Sequence, residues 1–255
     1  MKDLDKYIAK SEAVLVKLCK EWRPKLMENM GKISFDLKAD KSVVTKLDKE
    51  FELAIKDVLR PLSNEVGFLG EEHGQEGNEN TYWTVDPIDG TEPFIRNIPT
   101  ACNQLALVIN GQPEYAFCYQ FPLDNLYIAR RGRGTTKNGK KITVGYKPLN
   151  RCWIDISIDL LDTAKYEAFK RLRPKIADTV TQHNYLPCVE GLIDGCVTGF
   201  NGGPWDYIPR ALLMQEAGMK VGNFGSLTFD PKISNLVSAH PDNFEAIQKL
   251  LSPEA

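Results

Sequence analysis

Residues 83–91 read Trp-Thr-Val-Asp-Pro-Ile-Asp-Gly-Thr, and no other stretch constrains the chain as much. Tyr82, Trp83 and Val85 suit a buried strand. Pro87 fixes its own φ and pushes Asp86 into an extended conformation. Gly90 admits a left-handed backbone, and Thr91 can cap a following helix. The expectation is an apolar strand that turns at Asp86. It would aim two carboxylates, Asp86 and Asp89, from a rigid turn, beside backbone N–H groups able to hold an anion. Taken alone, an Asp-Pro-x-Asp-Gly segment is more often a simple turn, so the rest of the chain has to decide.

A chain of 255 residues fits one large domain or two closely joined halves, with the halves expected at about 1–148 and 149–255. The net charge of −2 excludes a broad basic surface for nucleic acid or for an anionic membrane. The densest basic run, Arg130, Arg131 and Arg133 with Lys137, Lys140 and Lys141, reads as the solvated ends of a hairpin. Six cysteines show no Cys-x-x-Cys and no zinc spacing with His73, His183 or His240. Their apolar surroundings predict buried free thiols in a reducing compartment. The charged start, Met1-Lys2-Asp3-Leu4-Asp5-Lys6, lacks the apolar core of a signal peptide. No apolar run is long enough to span a bilayer. These features together predict a soluble cytoplasmic protein.

Along the chain, residues 3–30 carry Leu4, Ile8, Leu15, Leu18, Trp22 and Leu26 at helical spacing, with Pro24 expected to kink or split the helix. Residues 33–45 read as a loop or loose hairpin. Thr45 opens a helix to about Arg60, stopped by Pro61. On it Leu47, Phe51, Ala54, Ile55, Val58 and Leu59 form one arc, with Lys46, Lys49, Lys56 and Asp57 off it. Asp48 falls inside that arc, where a carboxylate is costly unless it is paired, metal-bound or at the rim. Residues 66–69 read as a buried strand leading into Gly70-Glu71-Glu72-His73. Residues 92–97 predict one helical turn. Residues 104–109 and 114–121 form a hairpin across Asn110-Gly111, and 126–130 with 141–144 another around Asn138-Gly139. In the second half, 153–158 alternates like a strand, 163–172 reads as a helix, and 192–198 as either. Asp206 is expected to cap a helix over 207–217. Residues 237–239 and 243–251 predict a last strand and a last helix.

Asp48, Glu71, Asp86, Asp89 and Asp206 each fall at an element terminus or on a buried face. They are hard oxygen donors without a His or Cys among them, which selects Mg²⁺, Mn²⁺ or Ca²⁺ over zinc. EF-hand ligand spacing is absent. Gly70-Glu71-Glu72, then Asp86-Pro87-Ile88-Asp89-Gly90-Thr91, then Trp205-Asp206 near a helix start resembles the inositol monophosphatase family of Mg²⁺-dependent, lithium-sensitive phosphatases. Residues 38–48 resemble that family's mobile loop and the metal-binding helix after it. The resemblance implies a single phosphatase domain with an α/β fold, a layered α-β-α-β-α sandwich of the sugar-phosphatase type with mixed, antiparallel-rich sheets. It implies two or three Mg²⁺ ions, with Mn²⁺ possible. Glu71, Asp86 and the Ile88 carbonyl would hold the first, and Asp86, Asp89 and Asp206 the second. Gly90 and Thr91 would offer backbone N–H groups to a phosphate, with Asp89 and Asp206 also facing the substrate. Thr91, Asp48 and Glu71 would orient the attacking water, and Glu72 would support them. A small phosphorylated substrate and a homodimer are implied as well.

The chain also departs from that pattern. Gly199 stands where inositol-specific members carry a sugar-contacting glutamate. Glu92-Pro93 follows Thr91, and Tyr207-Ile208-Pro209-Arg210 follows Asp206, in place of small residues. Residues 38–45 and Gln120-Phe121-Pro122 are closer to the branches acting on histidinol phosphate or on a 3′-phosphorylated adenosine nucleotide. A non-catalytic metal-binding scaffold of the same fold is the alternative from another class.

Overall fold

The computed structural model describes residues 3–156, 175–177, 185–199 and 202–251. The chain forms two compact units, Met1–Ile128 and Ala129–Ala255.

The first unit opens with helix α1 (Leu4–Asn29), whose N-cap Asp3 accepts the Lys6 N–H at 3.1 Å. The helix runs through Pro24 without interruption, where the spacing predicted a kink or a split. Pro24 and Lys20 both lie on the exposed side of the helix, away from the core that holds it. A short hairpin follows, β1 (Asp36–Leu37) and β2 (Val43–Val44), closed around Lys41 at φ 70°. Helix α2 (Lys46–Leu59) starts at the N-cap Thr45, and Pro61 lies in the 3₁₀ turn (Arg60–Leu62) that ends it.

Strands β3 (Gly67–Gly70), β4 (Gly74–Glu76), β5 (Thr81–Asp89), β6 (Cys102–Ile109) and β7 (Gln112–Gln120) pair in the order β7-β6-β5-β3-β4. Only the β3–β5 pair is parallel among these. The five-residue helix α3 (Thr91–Ile95) sits between β5 and β6. The β6–β7 turn places Asn110 at φ 50° and Gly111 at φ 75°, the two positive φ values that a type I′ turn needs. One core holds the unit together. Alternate residues Trp83, Val85, Leu105, Leu107, Tyr115 and Phe117 of the strands meet Leu15, Leu18 and Leu26 of α1 and Leu47, Phe51 and Ile55 of α2. Trp83 packs edge-on against Tyr115 and gives its indole N–H to the Tyr7 hydroxyl at 2.8 Å.

Strand β8 (Asn125–Arg130) carries the chain across the boundary. In the second unit, β9 (Gly134–Lys137) and β10 (Lys140–Ile142) form the hairpin whose turn is Asn138-Gly139. The sequence pattern predicts strands 126–130 and 141–144 on either side of that turn. A two-residue turn must join strands that abut it, so β9 is the true partner. The Gly132 and Gly134 N–H groups, just before and at the start of β9, bond the Glu216 carboxylate at 2.8 Å each.

Strands β11 (Trp153–Ile156), β12 (Lys175–Ala177), β13 (Gly195–Gly199), β14 (Lys220–Gly222) and β15 (Asn235–Ala239) pair in the order β12-β11-β13-β15-β14, with β11 parallel to both its neighbours. Of the ambiguous 192–198 stretch, the part from Gly195 is strand and the residues before it are bend and loop. The short helix α4 (Leu186–Val189) precedes β13, α5 (Pro204–Glu216) follows it, and α6 (Pro241–Leu251) ends the described chain. Phe244, Ile247 and Leu251 of α6 pack on Ile154, Ile156, Val197, Val237 and Ala239. The helix expected over 163–172 lies outside the described residues. All six cysteines are buried free thiols, as their surroundings predicted. No helix among the described residues is long and apolar enough to cross a membrane.

Candidate metal and phosphate site

Strand β5 does not turn at Asp86. It continues through Pro87 to Asp89, with Asp86 opposite Gln104, Asp89 opposite Cys102, and a register shift between them. The shift is a bulge, a place within a sheet where a proline without an N–H does not break the ladder. The buried Asn103 secures it by donating from Nδ2 to the Pro87 carbonyl at 2.6 Å. Gly90 then adopts φ 83°, and the chain turns into α3. Thr91 is therefore the first residue of that helix and Gly90 its cap.

The bulge brings Asp86 and Asp89 together. Each is 2% exposed, and their carboxylate oxygens come within 4.8 Å of one another. Two buried carboxylates this close repel unless a cation or a proton is shared between them. The Cys102 thiol donates to Asp89 Oδ2 at 3.6 Å, fixing one oxygen. The Asp89 and Asp86 charges in turn help to keep that thiol protonated, after the larger effects of the neighbouring Cys118 and of burial.

Asp48 comes to this site from α2. It is 1% exposed, the third residue of the helix, and forms a capping box with Thr45. Its Oδ2 accepts the Thr45 N–H at 2.8 Å and the Thr45 hydroxyl at 2.6 Å. Its Oδ1 lies 3.2 Å from Thr91 Oγ1, which is also 3.0 Å from the Ile88 carbonyl. Thr91 has one hydroxyl proton and two acceptors for it. Burial pushes the Asp48 carboxyl up to about 6, against the hydrogen bonds from Thr45, with the Glu72 charge adding to the rise.

Glu71 follows the last residue of β3, and its N–H continues the parallel ladder to the Val85 carbonyl at 3.1 Å. Lys38, from the β1–β2 hairpin, places Nζ 2.7 Å from both Glu71 Oε1 and Glu72 Oε1. Burial opposes charge on Lys38, but the two glutamates outweigh it and hold the ammonium above its usual range. This bridge was not foreseen. Lys38 lay within the block matched to the mobile loop, but nothing local pointed to its partners 33 and 34 residues away.

In the second unit, Asp206 is not the cap of its helix. The helix begins at Pro204, with Gly203 as the cap, and Asp206 is its third residue. Proline is suited to the first helical position because its missing N–H has no helical partner there. The Asp206 carboxylate folds back over Gly202, where an added Cβ would stand 1.8 Å from Oδ2. Gly199 ends β13. Arg210, one turn on from Asp206, is buried with its guanidinium 4.8 Å from the Tyr185 ring centre.

The donors in the first unit are carboxylate and carbonyl oxygens without nitrogen or sulfur ligands. That set fits Mg²⁺ or Mn²⁺ and fits zinc poorly. Comparison with known proteins shows the family and the fold. The model of the inositol monophosphatase family matches residues 8–253. The fructose-1,6-bisphosphatase/inositol-1-monophosphatase of Aquifex aeolicus is 30% identical over 210 residues, covering 76% of this chain and 78% of that protein. The Nus factor SuhB of Pseudomonas aeruginosa is 30% identical over 244 residues, covering 89% of each. A solved IMPase/NADP phosphatase complexed with Mg²⁺ and phosphate superposes with a TM-score of 0.82 at 20% identity, over 97% of this chain and 96% of that one. The fold is thus the mixed α/β fold of these phosphatases, and the chain belongs to the inositol monophosphatase family.

Proposed function

We propose that this protein is a Mg²⁺-dependent phosphomonoesterase acting on a small soluble alcohol phosphate, with residues 1–255 as one phosphatase domain. One observation carries the reading. Two buried carboxylates, Asp86 and Asp89, lie within 4.8 Å of each other immediately ahead of Gly90-Thr91, whose hydroxyl is shared between Asp48 and the Ile88 carbonyl. Glu71, Asp86, the Ile88 carbonyl, Asp89 and Asp206 are the ligands in this reading. The ions, when bound, lower the pKa of water and neutralise charge on the attacking and leaving oxygens.

The chain's own groups do the rest. Gly90 and Thr91 direct backbone N–H groups at the phosphate. Asp48 takes the Thr91 proton, which frees the Thr91 oxygen to accept a proton from the attacking water, and Glu71 fixes that water from the other side. A carboxyl near 6 is matched to proton transfer around neutral pH. No protein nucleophile is needed, because phosphoryl transfer depends mainly on positioning and electrostatics. Gly199, in place of a sugar-contacting glutamate, favours a substrate other than a myo-inositol phosphate. Histidinol phosphate and a 3′-phosphorylated adenosine nucleotide are the first to try.

A panel of phosphate esters assayed for phosphate release with Mg²⁺, with and without Li⁺, tests the reading. Turnover that Li⁺ suppresses and that Asp89→Asn abolishes is expected; near-wild-type turnover in Asp89→Asn would defeat it. A second reading, a non-catalytic metal-binding scaffold, is favoured by the Nus factor SuhB relative being as similar as the Aquifex phosphatase, at 30% each. Metal binding without hydrolysis of any ester would select it. The homodimer is proposed on family membership alone, and light scattering of the purified protein tests it.

A further inference from the structure

Behind the Glu71–Glu72 turn lies a charged cluster that the proposed reaction does not use. Glu52 and Lys56, one helical turn apart on α2, are both fully buried, with Lys56 Nζ 2.9 Å from Glu52 Oε1. Lys56 also reaches Glu76 Oε1 at 2.7 Å, and Arg60 pairs with the other oxygen of Glu76. Desolvating such a pair costs about as much as its attraction returns, and well-packed apolar residues would serve the fold as well. The hydrogen bonds of Glu52 indicate another use. Its Oε2 accepts the Glu72 N–H at 2.8 Å. Its Oε1 accepts the His73 N–H at 3.2 Å and lies 3.0 Å from His73 Nδ1. The carboxylate sits so close beneath the turn that a Cβ on Gly70 would stand 2.1 Å from Oε1. The Glu71 N–H is held by Val85 at 3.1 Å, so the amides of 71, 72 and 73 are all anchored, one to β5 and two to Glu52.

We infer that Glu52 is a positioning residue for the divalent-cation site: its carboxylate, held in place by Lys56, clamps the Glu72 and His73 amides and so fixes the direction in which Glu71 leaves the backbone. The inference rests on the reading of Glu71 as a metal ligand. Glu52 touches neither substrate nor cation and acts only through the turn. Neighbours that orient a ligand in this way are typically worth 10–100-fold in metal affinity.

The test compares two double variants with the wild type, using Mn²⁺ titration calorimetry and thermal melts of the metal-free proteins. Glu52→Leu with Lys56→Met removes the pair and the accepting oxygens together. Glu52→Gln with Lys56→Met also removes both charges but keeps one accepting oxygen. Equal melting and a Mn²⁺ Kd raised about 10-fold or more in the first, with substantial recovery in the second, is expected. A third variant, Gly70→Ala, keeps every charge and displaces only the Glu52 carboxylate. It should weaken Mn²⁺ in the same way, and it decides the matter if the Leu/Met protein does not fold. Unchanged Mn²⁺ affinity in Leu/Met or in Gly70→Ala, with a wild type that binds, overturns the positioning role alone. A wild type that binds no Mn²⁺ overturns the metal-site reading and this inference together.

Discussion

Asp48 and Asp206 hold the same position in two different helices, and they are held there differently. Each is the third residue, after Thr45-Lys46-Leu47 in α2 and after Gly203-Pro204-Trp205 in α5. Position three favours an acid, because the helix dipole and the unpaired first-turn amides both attract negative charge. In α2 the cap has a hydroxyl, and the resulting capping box commits one oxygen of Asp48 to Thr45. The other oxygen is left facing Thr91. In α5 the cap is Gly203, which has no side chain to bond. Pro204 starts the helix there, and the missing Cβ of Gly202 makes room for the carboxylate. The difference teaches that the cap residue sets what a first-turn acid meets: a hydroxyl in α2, and in α5 a glycine backbone that leaves room for the carboxylate.

Experiments can break this contrast or sharpen it. The largest effect is expected from Asp206→Asn. If Asp206 is a cation ligand, phosphate release falls to background while the melting temperature stays near wild type. Retained turnover at saturating Mg²⁺ would remove Asp206 from the ligand set.

Asp48→Asn comes next, with kcat lower by about 100-fold, the scale of a lost proton-transfer group. The same variant has a pH signature. The folded Asp48 carboxyl is pushed up to about 6, above the unfolded value near 3.9. Relative to a neutral residue, Asp48 therefore costs the fold nothing below about pH 3.9, progressively more from there to about 6, and a constant amount above that. Metal-free Asp48→Asn should then be more stable than metal-free wild type at pH 8, by roughly 2–3 kcal/mol at most. The two should converge at pH 4. Equal stabilities at pH 8 would mean that burial does not perturb Asp48.

A smaller loss is expected for Gly202→Ala, where the new methyl pushes the Asp206 carboxylate aside. Mn²⁺ affinity should fall about 10-fold, as when a ligand's orientation is lost. Stability should change little at this exposed position. The smallest effect on activity is expected for Thr45→Ala. It removes a helix cap worth about 1 kcal/mol, read as a lower denaturant midpoint, and Thr45→Ser should restore it. A loss of metal affinity as large as that of Gly202→Ala would mean that the two helix starts are not used differently after all.

The legible parts of the fold were those with local causes. The long apolar spacings gave α1 and α2, and alternation with Asn110-Gly111 gave the β6–β7 hairpin. The residues of the bulge were legible because proline, glycine and paired acids declare themselves within a few positions. The misreadings have equally local reasons. Pro24 was expected to break α1, but it falls on the helix's exposed side and the helix runs on through it. The turn at Asp86 became a bulge because β6 continues alongside β5 as far as Cys102 and holds it extended. Strand β9 was missed because short strands leave little pattern. Lys56 lies off the apolar arc of its helix, yet it is fully buried. Its partners Glu52 and Glu76 compensate it, and Glu76 lies 20 residues away on β4.

The sequence by itself determined which atoms are available: oxygen donors without imidazole or thiolate partners, a rigid Asp-Pro-Ile-Asp-Gly-Thr segment, and helix starts that place acids in the first turn. Those choices follow from residue chemistry and from backbone restrictions that act over a few positions. Only the tertiary structure decided that Lys38 bridges Glu71 and Glu72, that Asn103 and Cys102 brace the bulge, and that Glu52 holds two amides of the Glu71 turn. Each of these pairs residues from different elements, so it depends on how helices and strands pack. A spacing pattern records only which face of an element is apolar, and not what that face will meet.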